Sequence, residues 1–288
     1  MSSQPKRTAA LIVCAWLAIG AWWCSTAATD AAASTRASTS AKPTKTLQKG
    51  DRYVSVGSSL ASGFGIANQS TDCGRSDRSY AHIVAARFKL QLVDVSCGGA
   101  VIPNVLDTPQ GDHPPQVDAV TANTKLITIG MGGNDINYNA TAVVCGNPAT
   151  VCSEPPTLAA DEAALPGKLD TMISKLKATA PSATIVLVTY PREIPRTNCP
   201  AVSFTDQELA ILQPMGATVE RDLVAAAHGN HLLLADPYAQ RGDHTACAPA
   251  STQWAAGHVV PDGSGFPYHP TPLGHEVMAT LIIKALRG

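Results

Sequence analysis

Three features of the chain predict an α/β fold with a mostly parallel five-stranded sheet. Five short apolar runs alternate with helix-length amphipathic segments, the pattern of a sheet covered by helices on both faces. Three of those runs stop on pointed sequences, Gly57-Ser58-Ser59, Gly98-Gly99 and Gly132-Gly133-Asn134-Asp135. Ligands of open α/β sheets sit beyond the carboxyl ends of the strands. The length, 288 residues, suits one medium domain with appendages.

The appendages come first. Lys6 and Arg7 precede an uncharged apolar run from Thr8 to Cys24, followed by small residues from Ser25 to Ala28. That order defines a secretory signal peptide over residues 1–28. An uncleaved N-terminal anchor is the alternative, because the run approaches the length that spans a bilayer. Residues 29–50 are rich in Ala, Ser, Thr and Lys with almost no large apolar side chain, a solvated linker. Residues 51–288 remain as the folded domain.

Within it, Tyr53, Val54 and Val56 form the first buried strand, which runs into Gly57-Ser58-Ser59-Leu60 and breaks again at Gly63. A polar loop from Phe64 to Arg78 leads to a helix from Ser79 to about Leu90, with Tyr80, Ile83, Val84 and Phe88 on one face. Leu92, Val93 and Val95 make a second strand. Residues 103–116 carry four Pro and no clear period, so they read as loop. Leu126 to Ile129 is the third strand. Residues 139–160 form an excursion, followed by a helix from about Asp161 to Ala178 striped with Leu165, Leu169, Met172, Ile173 and Leu176. The β-branched run Thr184 to Thr189 is the fourth strand. Asp206 to Ala227 spaces Leu209, Leu212, Met215, Val219 and Leu223 as a helix, and Leu232 to Ala235 is the fifth strand. The last helix begins near Thr271.

Charge and cysteine usage narrow the function. A net charge of −1 and 5% aromatic residues supply neither a basic footprint nor stacking platforms for nucleic acid. Beyond Cys14 and Cys24, six cysteines remain, an even number that reads as three disulfides in an exported chain. Fifteen connectivities are possible; chain order suggests Cys73–Cys97, Cys145–Cys152 and Cys199–Cys247. No pair has zinc-knuckle or redox-dithiol spacing, so a metal site is not expected, and acyl transfer by serine calls for no organic cofactor. Contact with a membrane is expected only through the N-terminal segment, if it is uncleaved.

Acyl transfer by serine needs a nucleophile, a base for its proton and donors for the oxyanion. Ser59, at a strand end, is the nucleophile candidate. Gly99 can turn a backbone N–H toward an oxyanion, and Asn134 can add its amide. Among eight histidines, His269 stands in a loop just before the final helix, in Phe266-Pro267-Tyr268-His269-Pro270-Thr271. His82, His228, His231 and His275 fall in or beside helices, where a packing role is expected; His113, His244 and His258 lie in loops.

Four blocks of the chain resemble, in order, those of the SGNH (GDSL-type) hydrolases, secreted bacterial lipase and esterase branch. They are Gly57-Ser58-Ser59-Leu60 with Gly63, Ser96-Cys97-Gly98-Gly99-Ala100, Gly132-Gly133-Asn134-Asp135, and His269-Pro270-Thr271 with Gly274. The resemblance covers about residues 52–286. It implies a flavodoxin-like three-layer α/β/α sandwich, Ser59 as nucleophile, His269 as base, and Gly99 and Asn134 as oxyanion-hole donors. Cys73-Gly74-Arg75-Ser76 also matches a segment of the secreted branch, whose partner is the Cys of the second block; this supports Cys73–Cys97. Two departures stand out. Ser58 replaces the Asp usual before the nucleophile, and Phe266 occupies the position of the triad acid three residues before the His. Either the main-chain carbonyl of Phe266 orients His269, as in dyad members of the family, or Asp262 reaches in. The reading is a secreted serine esterase or lipase acting on a small-molecule acyl ester. Its alternatives are a carbohydrate acyl esterase and a non-catalytic exported binding protein on the same fold.

Overall fold

A computed structural model describes residues 46–70 and 72–288. The expected signal peptide and most of the expected linker lie outside these residues. The domain begins slightly before Asp51: Leu47 packs on the core, and the Gly50 N–H donates to Lys89 O at 2.8 Å. Among the described residues, no helix is long and apolar enough to cross a membrane.

The chain runs β1 (Arg52–Gly57), α1 (Ser59–Ser62), α2 (Tyr80–Phe88), β2 (Gln91–Asp94), α3 (Ile102–Leu106), β3 (Thr124–Gly130), α4 (Tyr138–Cys145), α5 (Leu158–Thr179), β4 (Thr184–Val188), α6 (Asp206–Gly229), β5 (Leu233–Ala235) and α7 (Pro272–Arg287). The five strands form one sheet in the order β2-β1-β3-β4-β5, and every neighbouring pair is parallel. This is the flavodoxin-like order, which changes direction between β1 and β3. Helices α2 and α7 pack together on one side, and α5 packs on α6 and α3 on the other. The central strands are buried on both faces: Tyr53, Val54, Val56, Leu126, Ile127, Ile129, Val186 and Leu187 are fully enclosed. That is why they read as continuous apolar runs instead of an alternating pattern.

Local chemistry sets the helix starts. Thr205 and Glu208 close a reciprocal capping box on α6, and the Thr271 hydroxyl accepts the Gly274 N–H at the head of α7. Two expected irregular stretches contain helix. The first is residues 103–116, where Ile102–Leu106 forms α3 and a 3-10 turn begins at Gln116. Pro103 falls in the first turn of α3, where a missing N–H costs nothing. Ile102 and Val105 bury its inner face. The second is the excursion 139–160, where Tyr138–Cys145 is helical and α5 begins at Leu158. Disulfides join Cys73 to Cys97, Cys145 to Cys152 and Cys199 to Cys247.

Candidate active site

The carboxyl ends of β1 and β3 meet at two glycines, Gly57 and Gly130, that pair in register. A Cβ on Gly57 would collide with the Gly130 carbonyl oxygen, so only glycine lets β1 close against β3 here. Gln116 clamps the junction: its Oε1 accepts the Gly57 N–H at 2.8 Å and its Nε2 donates to Gly57 O at 3.0 Å. The chain then turns into α1. Ser59 is the first residue of that helix, which leaves its N–H outside the helix's own bonds. The Ser59 side chain is almost fully enclosed.

His269 comes to Ser59 across 210 residues of sequence, with Nε2 at 3.0 Å from Ser59 Oγ. Its other nitrogen, Nδ1, lies 3.0 Å from the carbonyl oxygen of Pro267. A carbonyl can only accept, so Nδ1 carries the proton and Nε2 presents a lone pair to the serine hydroxyl. This is the tautomer a general base requires. Burial pushes the imidazole pKa below its ordinary 6.5, and the bond to Pro267 partly restores it.

The orienting group differs from both expectations. The Phe266 carbonyl is spent on the His269 N–H at 3.0 Å, closing a β-turn with Pro267 and Tyr268 as its central residues. Tyr268 takes a positive φ of 58°, as the third position of a type II turn demands. That turn leaves the Pro267 carbonyl free for the ring. Asp262 is exposed, and Pro267 occupies the bond it would have made. Tyr268 holds its strained conformation because its ring is fully buried, 4.6 Å from the ring of Phe204 and pressed on Gly146. Phe266 stands edge-on to the imidazole at 5.2 Å, and Phe64 stands edge-on to Phe266 at 5.1 Å. The buried His275 is separate: its Nδ1 accepts the Tyr80 N–H at 3.3 Å.

Two further groups come from the ends of β2 and β3. Gly99 adopts a positive φ of 78°, and its N–H has no partner among the described residues. Its neighbour Gly98 is held from two sides, by Cys73 O on its N–H at 2.9 Å and by Gln110 Nε2 on its carbonyl at 2.8 Å. The Cys73–Cys97 disulfide spans the same loop. Asn134 lies in the 3-10 turn after β3 and donates one amide hydrogen to Ala100 O at 3.0 Å, which leaves the second for a ligand. Asp135, beside it, accepts the Ile102 N–H at 3.1 Å and heads α3; burial raises its pKa to about 6. Ser58 is fully buried, and its hydroxyl has no hydrogen-bond partner among the described residues.

Three residues of the site are not legible in the sequence: Gln116, Pro267 and Tyr190, which accepts the Gly133 N–H on its hydroxyl at 3.0 Å. Gln116 has no motif around it, and Pro267 acts through a main-chain atom that every residue carries. Among the described residues one trio has metal-site proximity, Cys73, Cys97 and His113. Its cysteines are oxidised to a disulfide, so it offers no thiolate ligands.

Known proteins resemble this chain in sequence and in fold. The model of the GDSL-like Lipase/Acylhydrolase family matches residues 55–277. Lipase 1 of Streptomyces coelicolor is 28% identical over 238 residues, covering 78% of this chain and 83% of its own. The crystal structure of phospholipase A1 from Streptomyces albidoflavus NA297 is 26% identical, with a TM-score of 0.67 over 82% of this chain and 99% of its own. The extracellular lipase from Streptomyces rimosus shares the fold, with a TM-score of 0.66 at 23% identity, over 81% of this chain and 99% of its own.

Proposed function

The chain belongs to the GDSL-like Lipase/Acylhydrolase family and is a carboxylic ester hydrolase, and from that premise we propose that it works through an acyl-enzyme on Ser59. His269 Nε2 removes the Ser59 proton as Oγ attacks the ester carbonyl. The backbone N–H groups of Ser59 and Gly99 and the free amide hydrogen of Asn134 receive the developing oxyanion. The imidazolium then gives its proton to the leaving alkoxide, and the acyl group stays on Oγ. Water, deprotonated by His269, releases the carboxylic acid and restores the serine. The observation that carries this reading is the 3.0 Å approach of Nε2 to Ser59 Oγ, with Nδ1 held on a carbonyl.

The substrate is a lipid acyl ester. The names of the relatives, lipases and a phospholipase A1, support this choice over an acylated sugar. The site of action is extracellular, with residues 1–28 as the export signal, residues 29–50 as a linker and residues 51–288 as the catalytic domain. Three disulfides in the domain support an oxidising compartment.

Ser59→Ala and His269→Ala are the test, assayed on short- and medium-chain p-nitrophenyl esters. Each is expected to lower kcat by about 10⁴-fold or more. The wild type is expected to be labelled by a fluorophosphonate, and Ser59→Ala is not. Turnover near wild type in either variant would remove the assignment. A folded wild type that resists the label and is inert to esters would point to a binding protein.

A further inference from the structure

Behind the turn that carries Asn134 lies a buried polar cluster that the hydrolytic steps above do not use. Glu193, from the loop after β4, is 1% exposed, and no basic side chain pairs with it among the described residues. Its Oε2 accepts the Asn139 Nδ2–H at 3.2 Å. Two atoms in the cluster are left over: Glu193 Oε1 and Asn139 Oδ1, both buried and without a hydrogen-bond partner among the described residues. If both belong to acceptors, the site holds two unmet lone-pair groups and a bare charge in apolar surroundings, a costly arrangement. A proton on Glu193 Oε1 removes the difficulty. The neutral acid then leaves no bare charge in the interior, while the Asn139 amide still donates to Oε2. Burial also drives the Glu193 pKa well above the ordinary carboxylate range.

This pair abuts the oxyanion turn. A Cβ on Gly133 would stand 2.5 Å from Asn139 Oδ1 and 2.9 Å from the Tyr190 hydroxyl. Tyr190 itself accepts the Gly133 N–H at 3.0 Å, one residue before Asn134. Its ring is braced edge-on by Tyr138. We propose that Tyr190 and a Glu193–Asn139 acid–amide pair are positioning residues for the oxyanion hole. They hold the Gly133–Asn134 turn so that the Asn134 amide meets the developing charge. The inference rests on the assignment of Asn134 as an oxyanion donor.

A double-mutant cycle tests it, with kcat and KM measured on p-nitrophenyl butyrate. Asn134→Ala is expected to lower kcat by about 10²–10³-fold. Tyr190→Phe is expected to lower it about tenfold with KM within about twofold, a loss of transition-state stabilisation alone. Because Tyr190 acts through Asn134, the double variant falls no more than about threefold below Asn134→Ala. Losses that multiply overturn the proposal. A second comparison concerns the acid. Glu193→Gln keeps an acceptor for the Asn139 amide without a charge, whereas Glu193→Asp keeps the carboxyl but withdraws it by one methylene. The Gln variant is expected to retain about tenfold more kcat than the Asp variant. The reverse order would mean that charge matters and the pair does not. If Asn134→Ala alone turns over like wild type, the oxyanion assignment fails instead, which is a separate outcome.

Discussion

Phe266→Asp places a carboxyl where the family's triad acid stands, beside an imidazole that the wild type holds by a carbonyl. The Phe266 ring lies 5.2 Å from the imidazole ring, half-buried at the mouth of the site. A charge at about that distance, with an effective dielectric of about 20–40, stabilises imidazolium by about 1.5–3 kcal/mol, or about 1–2 pKa units. In the wild type the base is active only when neutral. Its pKa lies below 6.5 through burial, so the acidic limb of kcat/KM is expected to fall below pH 6.5. In Phe266→Asp that limb moves up by about 1–2 units, so activity on the acid side of the limb drops about 10–100-fold relative to wild type at the same pH. Phe266→Asn, of similar size and without charge, is expected to leave the limb in place. The assay is a pH series of kcat/KM on p-nitrophenyl butyrate. A wild-type limb at or above pH 6.5, or an Asp limb that does not move while the variant stays folded, would refute the electrostatic account of His269.

His275 should make the domain acid-sensitive. It is fully buried, and burial lowers its pKa from 6.5 to about 3, with His269 adding a smaller push in the same direction. A histidine in the unfolded chain charges near 6.5 while the folded one stays neutral, so falling pH favours unfolding. Between pH 6.5 and 4.5 this group alone removes about 2–3 kcal/mol. Urea unfolding at several pH values should show a shallower acid slope in His275→Gln; an unchanged slope would discount His275. Removing the Cys73–Cys97 bridge by the double Ala variant opens a link between residues 24 apart. The expected cost is about 3 kcal/mol from loop entropy, read as a lower urea midpoint. Because Cys73 O also holds the Gly98 N–H, kcat is expected to fall as well. An unaltered kcat in the folded variant would detach the bridge from the oxyanion loop.

The sequence by itself determined the strands, the long helices and the order of the four blocks. A central parallel strand must be apolar on both faces, and a long surface helix must repeat its apolar side every three to four residues. Those demands write themselves locally, as in Tyr53 to Val56 and along Leu165 to Leu176. Gly57 was legible as the end of its strand, but that only glycine fits there follows from Gly130 on the neighbouring strand. The short helix α3 was hidden because its Pro signals a break as readily as a first turn. Only the tertiary structure decided which carbonyl holds His269. That choice depends on a type II turn whose Tyr268 accepts a left-handed conformation because Phe204 and Gly146 enclose its ring. Gln116 and the Glu193–Asn139 pair were equally silent, being far apart in sequence from what they hold. Ser59 could be picked as a nucleophile from its own strand end, but its 3.0 Å partner lies 210 residues away. Periodicity is a property of neighbours along the chain, whereas hydrogen-bond geometry is a property of neighbours in space, and the second exists only once the chain has folded.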